Sequence, residues 1–179
     1  MEFDFEKILI GNHAIAKRVA ELGKKISSDY AGDALLAVCI LKGSILFFAD
    51  LIRCLTVPVK IDFIKASSYG KSTSTLGKVA VADLLSEKIK GRRILLVEDI
   101  VDSGLTIKRI LDFFLKQGAS DVRVCTLLDK PDRRIAQVEP DYSGFVIPDE
   151  FVVGYGMDFD EKYRNLPYIA VLKEQENNI

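Results

Sequence analysis

The chain has 179 residues, 49% of them hydrophobic, which is enough for one domain with a sizeable core and short for two. We therefore expect residues 1–179 to form a single domain. With 25 basic and 26 acidic side chains, the net charge of −1 gives no general attraction to nucleic acid or to an anionic membrane surface.

Several absences narrow the chemistry and the compartment. The longest apolar runs are too short to span a bilayer, and the acidic N-terminus lacks the basic and apolar regions of a signal peptide. Cys39, Cys54 and Cys125 are an odd, widely spaced set, which favours reduced thiols and a cytoplasmic location. Because His13 is the only histidine, every histidine-based triad or zinc site would depend on that one residue.

Apolar strands and amphipathic helices alternate along the chain. A helix is predicted at 13–30, a second within 42–52 after a short loop, and a third at 104–117. Strands are predicted, in order, at 34–40, 57–66, 78–85, 92–100 and 121–128, followed by two short segments within 144–159 and a last one at 168–172.

This alternation predicts an α/β fold, with a mostly parallel twisted sheet covered by helices on both faces. The β-rich C-terminal third predicts a small additional β structure, which we call the hood. In open parallel sheets, ligands bind beyond the carboxyl ends of the strands. Functional residues are therefore expected where the buried strands end.

The strand at 92–100 ends in an unusual cluster. Glu98 and Asp99 close the strand, Asp102 follows, and the turn "DSGLT" leads into a helix. A glycine, two hydroxyl side chains and the free N–H groups of a helix N-terminus make a phosphate cradle. The alternative is an ordinary helix cap in which Asp102 or Ser103 is the N-cap residue.

The two acids at the strand end decide what accompanies a phosphate there. A carboxylate does not bind phosphate, so Glu98 and Asp99 need another partner: sugar hydroxyls or a divalent metal. The cluster therefore predicts a site for ribose 5-phosphate. Competing phosphate motifs fail, since "GKS" at 70–72 is preceded by Lys65 where a P-loop needs glycine, and "GYGMDF" at 154–159 lacks the third glycine of a dinucleotide fingerprint.

The segment "LLVEDIVDSGLT" closely resembles the signature of the type I phosphoribosyltransferases, which use 5-phosphoribosyl 1-pyrophosphate (PRPP). Further segments resemble the 6-oxopurine branch of that family, the hypoxanthine and hypoxanthine-guanine enzymes. They are "LKGS" at 41–44, "SSYG" at 67–70, "LLDKPDRR" at 127–134 and "IPDEFVVGYGMDFDEKYRNLPYI" at 147–169.

The resemblance implies a role for each residue of the acidic signature. Glu98 and Asp99 would hold the ribose 2′ and 3′ hydroxyls and lie beside Mg²⁺, and Asp102 would be the general base or acid at purine N7. The loop residues that would surround the 5′-phosphate are Asp102, Ser103, Gly104, Leu105 and Thr106.

Outside that signature, the resemblance implies a base site and a pyrophosphate site. Lys130 would donate to the purine 6-oxo group, Phe151 would stack on the base, and the backbone of Val152 would contact its Watson–Crick edge. An ammonium donor favours a carbonyl at C6 over the amino group of adenine. The pyrophosphate would be bound by Lys42, Gly43 and Arg164, with a cis peptide between Leu41 and Lys42, and Asp158 would bind a second Mg²⁺.

The polar stretch 67–77 would be a mobile lid, in which Ser68 and Tyr69 close over the reacting centre. A lid suits this chemistry because cleavage at C1′ leaves an oxocarbenium-like carbon that water would capture.

The resemblance thus implies a purine salvage enzyme that transfers the 5-phosphoribosyl group from PRPP to N9 of hypoxanthine, and also of guanine, with Mg²⁺ as cofactor. It implies a homodimer or homotetramer, with no nucleic-acid or membrane partner. Two alternatives stay open at this point. One is a PRPP-sensing regulator with the same fold, which should carry a basic surface or an added DNA-binding module. The other is a sister enzyme for xanthine or for pyrimidines. The segment "FVVGYGMD" and Lys130 argue against pyrimidines, but they do not separate the three 6-oxopurines.

Overall fold

The computed structural model describes residues 5–65 and 85–173. Over these residues the chain forms eight β-strands, three α-helices and one short 3-10 helix. In chain order they are β1 (Phe5–Ile10), α1 (Asn12–Asp29), β2 (Leu35–Leu41), α2 (Ile45–Arg53), β3 (Val59–Lys65), β4 (Arg93–Val101), α3 (Leu105–Lys116), β5 (Asp121–Asp129), the 3-10 helix (Pro131–Arg133), β6 (Tyr142–Val146), β7 (Val152–Val153) and β8 (Ile169–Leu172).

The main sheet has five parallel strands in the order β3-β2-β4-β5-β6. Strands β2 and β4 lie at its centre and are apolar on both faces, as expected for a covered parallel sheet. Because side chains alternate across a strand, odd-numbered residues of β2 pack with α1 and α2, whereas even-numbered residues pack with α3. The predicted parallel sheet with helices on both faces is confirmed.

The strand order creates a crevice at one position. The chain leaves β2, adds β3 on one side, and then places β4 on the other side of β2. Connections from β2 and β4 therefore diverge at their carboxyl ends, and ligands bind in such a gap. The loop after Leu41 and the residues that end β4 flank it.

A second, three-stranded antiparallel sheet in the order β1-β8-β7 forms the hood. The hood includes β1, a strand that the sequence did not predict. Only Ile10 of its six residues is buried, and the charged residues Glu6 and Lys7 stand next to each other, so the strand lacks the continuous apolar signal of β2 or β4. The Tyr155 hydroxyl, just after β7, donates to Asp50 of α2 at 2.5 Å and joins the hood to the main body.

Two predicted features, the strand at 78–85 and the lid at 67–77, lie outside the described residues, apart from Leu85. The other predicted helices and strands are present, with ends shifted by a few residues at most. Over the two described stretches, no helix has the length and apolar character needed to cross a membrane.

Candidate active site

The predicted functional residues follow the carboxyl ends of adjacent strands. Lys42 and Gly43 come directly after β2, and Lys130 follows β5. Glu98 and Asp99 lie near the carboxyl end of β4. Parallel strands end at one edge of the sheet, so residues far apart in sequence meet at that edge.

Asp99 and Gly43 are in direct contact across the crevice. A Cβ atom at Gly43 would overlap the Asp99 carboxylate, so only glycine fits beside it. The other Asp99 oxygen, Oδ1, accepts a hydrogen bond from the Ile100 backbone N–H at 2.9 Å. The Leu41–Lys42 peptide bond, which precedes Gly43, is cis, as the resemblance implied.

Glu98 lies next to Asp99 and is partly withdrawn from water. Desolvation of its carboxylate, reinforced by the negative charge of Asp99, raises the pKa of Glu98 well above its usual range. Two neighbouring carboxylates are stabilised by a group that donates hydrogen bonds to them, such as a hydroxyl, or by a divalent cation.

The turn between β4 and α3 has the geometry of an anion cradle. Gly104 is the N-cap residue of α3, with φ of +76° in the left-handed region, and no side chain caps this end of the helix. The alternative in which Asp102 or Ser103 caps the helix is therefore wrong. The first N–H groups of a helix have no intrahelical partner, so an uncapped N-terminus of this kind can bind an anion.

Residues 134–136, in the segment after β5, form hydrogen bonds with the backbone of this turn. The Ser103 carbonyl accepts from the backbone N–H groups of Ile135 at 2.9 Å and Ala136 at 3.0 Å. Arg134, nearly buried, donates to the Asp102 carbonyl at 3.1 Å and pairs with the Asp129 carboxylate. Arg134 is not among the residues predicted from the sequence, where its only local signal is the arginine pair at 133–134.

Four charged side chains of alternating sign form a row on one side of the turn. Arg133 Nε donates to Asp102 Oδ1 at 3.1 Å, and Arg133 Nη1 donates to Asp149 Oδ2 at 3.1 Å. Asp149 Oδ1 lies 3.5 Å from Lys130 Nζ, which also donates to the Glu150 carbonyl at 2.7 Å. The row joins the predicted N7 residue, Asp102, to the predicted 6-oxo donor, Lys130.

Phe151 follows this row and carries an exposed aromatic face. Phe151 is 56% exposed, whereas the next residue, Val152, is buried in the hood sheet. Phe151 and Phe159 pack in a T-shaped arrangement, with ring centroids 5.7 Å apart and the planes nearly perpendicular. An exposed aromatic ring of this kind can stack on a planar ligand.

A second charged group joins the loop after β2 to the hood. Lys42 Nζ contacts Glu161 Oε1 at 3.0 Å, and Arg164 Nη2 contacts Glu161 Oε2 at 3.3 Å. Arg164 Nη2 also contacts Asp158 Oδ1 at 2.7 Å, and Nη1 donates to the Gly156 carbonyl at 2.8 Å. Positive charges from two separate elements thus meet, as a site for a polyanion requires.

The acidic residues fit Mg²⁺ in one particular way. Over residues 5–65 and 85–173, no three acidic, histidine or cysteine side chains converge as a metal cage. Mg²⁺ usually binds through one or two carboxylates together with substrate phosphates. The Glu98–Asp99 pair and the separate Asp158 offer that donor set.

Of the predicted site residues, Ser68 and Tyr69 lie outside the described part of the chain. The remaining ones lie at the carboxyl edge of the sheet or in the facing hood. Besides Arg134, sequence reasoning missed three residues that the contacts bring into this area: Arg133, Asp149 and Glu161. All three lie inside segments that carry the family resemblance, but their partners are distant in sequence.

Comparisons with known proteins agree with this architecture. The profile of the phosphoribosyl transferase domain matches residues 7–160. The hypoxanthine-guanine phosphoribosyltransferase of Streptococcus pneumoniae strain R6 is 45% identical over 175 residues, which cover 98% of this chain and 97% of that protein. The enzyme of the same name from Bacillus subtilis strain 168 is 46% identical over 173 residues, with 97% and 96% coverage.

A solved structure is also similar over nearly the whole chain. The crystal structure of a hypoxanthine phosphoribosyltransferase from Staphylococcus aureus superposes with a TM-score of 0.88 at 43% identity, covering 95% of this chain and 92% of that one. The chain therefore belongs to the phosphoribosyltransferase family, in the branch of the hypoxanthine and hypoxanthine-guanine enzymes.

Proposed function

We propose that this protein is a purine salvage enzyme that transfers the 5-phosphoribosyl group from PRPP to N9 of hypoxanthine or guanine. The products are IMP or GMP and pyrophosphate. The observation that carries the proposal is the meeting of an acid pair, a glycine-capped helix N-terminus and a buried lysine at the carboxyl edge of one sheet. The family to which the chain belongs supports the same activity.

In this proposal the turn at 102–106 binds the 5′-phosphate. The backbone N–H groups at the start of α3 and the hydroxyls of Ser103 and Thr106 would donate to its oxygens. Gly104 and Leu105 would supply the close backbone approach. The hydrogen bonds from Ile135 and Ala136 to Ser103 keep the turn in one conformation before the ligand arrives.

Glu98 and Asp99 would accept hydrogen bonds from the ribose 2′ and 3′ hydroxyls. Glu98, Asp99 and Asp158 are also the residues that would hold Mg²⁺, which when bound would neutralise part of the pyrophosphate charge. The contact between Asp99 and Gly43 fixes the acid pair against the loop after β2. Ribose and pyrophosphate would therefore sit at a set distance from each other.

The purine would lie between Phe151 and the charged row. Lys130 would donate to its 6-oxo group, and the exposed face of Phe151 would stack on the ring. The backbone of Val152 would contact the Watson–Crick edge. Asp102, oriented by Arg133 at 3.1 Å, would exchange a proton with N7.

The reaction would break the bond from C1′ to the pyrophosphate oxygen and form the bond from C1′ to N9. The departing oxygen keeps the electron pair, and Lys42, Gly43 and Arg164 would stabilise its growing charge. The purine loses one proton overall, with Asp102 as its acceptor. Ser68 and Tyr69 would close over the reacting carbon and exclude water.

We further propose that residues 1–179 act as one domain, that the enzyme is a homodimer or homotetramer, and that it works in the cytoplasm with no nucleic-acid or membrane partner. The near-neutral composition supports the absence of a nucleic-acid partner.

A spectrophotometric assay with PRPP and Mg²⁺ tests the activity, with hypoxanthine, guanine, xanthine, adenine and uracil supplied separately. Nucleotide should form from hypoxanthine or guanine, whereas adenine and uracil should be inert. Xanthine turnover above both of the others would reassign the base preference. Binding of PRPP without turnover of any base would contradict the proposal and favour a PRPP-sensing regulator.

A further inference from the structure

Glu161 contacts both cations of the predicted pyrophosphate site at once. Its Oε1 lies 3.0 Å from Lys42 Nζ, in the loop after β2, and its Oε2 lies 3.3 Å from Arg164 Nη2, in the hood. Each carboxylate oxygen therefore neutralises a cation from a different part of the molecule. A pyrophosphate oxygen pair would require the same two cations.

The ion pairs of Glu161 with Lys42 and Arg164 contribute little to the stability of the fold. The side chains of Lys42 and Glu161 are 56% and 66% exposed, and exposed ion pairs contribute little to stability. The hydrogen bond from Lys42, followed by that from Arg164, lowers the pKa of Glu161, so its carboxylate is charged at neutral pH. A charged carboxylate beside a phosphate is repulsive.

The backbone places Glu161 in this position. Its φ of 58° lies in the left-handed region, which few residues other than glycine adopt. Its backbone N–H donates to Asp158 Oδ2 at 3.0 Å. Asp158 contacts Arg164 through its other oxygen, so the turn at 158–164 carries two carboxylates for one guanidinium.

We propose that Glu161 competes with pyrophosphate for Lys42 and Arg164, and that its carboxylate is displaced when pyrophosphate or PRPP binds. This inference rests on the proposed function. While it is paired, the carboxylate occupies both cations. In the complex it must leave, so part of the binding free energy is lost in its displacement.

Removal of the Glu161 charge should consequently tighten binding of pyrophosphate. Glu161→Gln keeps the size of the side chain and removes the charge, and Glu161→Asn suits the left-handed backbone better. Asp160→Asn is the matched control. Asp160 lies in the same turn with φ of 52°, but its side chain is 77% exposed and pairs with Lys162 at 3.4 Å.

The experiment is calorimetric titration of wild type and the three variants with magnesium pyrophosphate and, separately, with IMP. For both Glu161 variants we expect the Kd for magnesium pyrophosphate to fall by about three- to tenfold, because one like charge is removed from a few ångströms away. We expect Asp160→Asn to stay within about twofold of wild type. IMP has no pyrophosphate group, so its Kd should be the same in all four proteins.

The outcomes separate the two levels of the proposal. Wild type that binds neither IMP nor magnesium pyrophosphate would contradict the proposed function itself. Wild type that binds both, with unchanged or weaker pyrophosphate binding in the Glu161 variants, would overturn the role of Glu161. An equal gain in Asp160→Asn would reduce the effect to net charge and would also overturn it.

Discussion

The carboxyl end of β4 and the hood turn at 158–164 both face the same crevice, but their charges are balanced differently. At the end of β4, Glu98 and Asp99 lie side by side, and the pKa of Glu98 is raised by desolvation and by its neighbour. In the hood turn, Arg164 contacts both Asp158 and Glu161, and Lys42 joins them. One region has unbalanced negative charge, and the other is balanced internally.

The difference indicates what a ligand does in each region. Where like charges are left together, hydroxyl donors or a cation stabilise the protein as they bind. Where charges are already paired, an anionic ligand has to displace one member of each pair. Binding should therefore relieve repulsion at β4 and break ion pairs in the hood.

The largest effect is expected at Asp102, which belongs to the β4 end by position but is paired with Arg133. If Asp102 exchanges a proton with purine N7, Asp102→Asn should lower kcat by about 10²- to 10⁴-fold. The Kd for PRPP should change little, since the amide retains the shape of the turn. Asp132→Asn serves as the control for loss of one carboxylate nearby.

Steady-state kinetics together with PRPP titration check this expectation. A loss of PRPP affinity that matches the loss of kcat would instead make Asp102 a structural part of the phosphate turn.

Gly43→Ala tests the contact between the two regions. The new Cβ would overlap the Asp99 carboxylate, so either the acid pair or the loop after β2 must shift. A misplacement of this size can lower kcat/KM by about 10²-fold. Gly11→Ala, where a Cβ meets no atom within 4 Å, should leave kcat/KM near wild type.

Both kcat/KM values are measured with hypoxanthine and PRPP, and thermal unfolding shows whether each variant is folded. Equal activity in both variants would mean that the Asp99–Gly43 contact has no part in catalysis.

A smaller effect is expected at Lys130, which is buried and donates a hydrogen bond to the Glu150 carbonyl at 2.7 Å. A charge-assisted hydrogen bond to the 6-oxo group contributes about 1.5–3 kcal/mol. Lys130→Met should therefore raise KM for hypoxanthine by roughly tenfold or more, with KM for PRPP unchanged. An unchanged purine KM would remove Lys130 from the base site, and Lys162→Met is the control.

The smallest effect concerns stability and its dependence on pH. Because the pKa of Glu98 is raised in the folded state, the folded protein binds the proton more tightly than the unfolded chain. Stability should then fall as the pH rises from the unfolded pKa through the folded one. Glu98→Gln removes that loss, so Tm of the ligand-free variant should exceed wild type at neutral pH, on the order of a few degrees.

The Tm difference between wild type and Glu98→Gln should shrink as the pH falls below the unfolded pKa of Glu98, about 4.3, because its carboxyl is then protonated in both the folded and the unfolded state. A difference that is independent of pH would show that charge repulsion at the end of β4 is not its cause. The same substitution should weaken PRPP binding, so stability and function oppose each other at this residue.

The parts of the site that could be predicted from the sequence are those whose residues lie close together in the chain. Glu98, Asp99 and the turn at 102–106 lie within one short segment. That segment contains the end of a strand, the acidic pair, a glycine and the start of a helix, so their combination is visible in the sequence. The parallel sheet was predictable because β2 and β4 are apolar on both faces. By contrast, β1 is a hood strand with mixed polarity, and no local pattern marks it.

The ion pairs could not be predicted because their members are distant in the chain. Lys42 and Glu161 are 119 residues apart, and Arg133 and Asp102 are 31 apart. A charged residue in a loop is usually solvated, so the sequence does not indicate which residue it pairs with. Only the fold brings these pairs together, and with them the charge balance on which the two regions differ.

The most direct measurement is a crystal structure of the protein with IMP and magnesium pyrophosphate bound. The account predicts phosphate oxygens within about 2.7–3.2 Å of the N–H groups at 103–106, and the 6-oxo group at a similar distance from Lys130 Nζ. It also predicts that Glu161 has left Lys42. IMP bound away from the carboxyl ends of β4 and β5, or its base turned away from Lys130, would contradict the account.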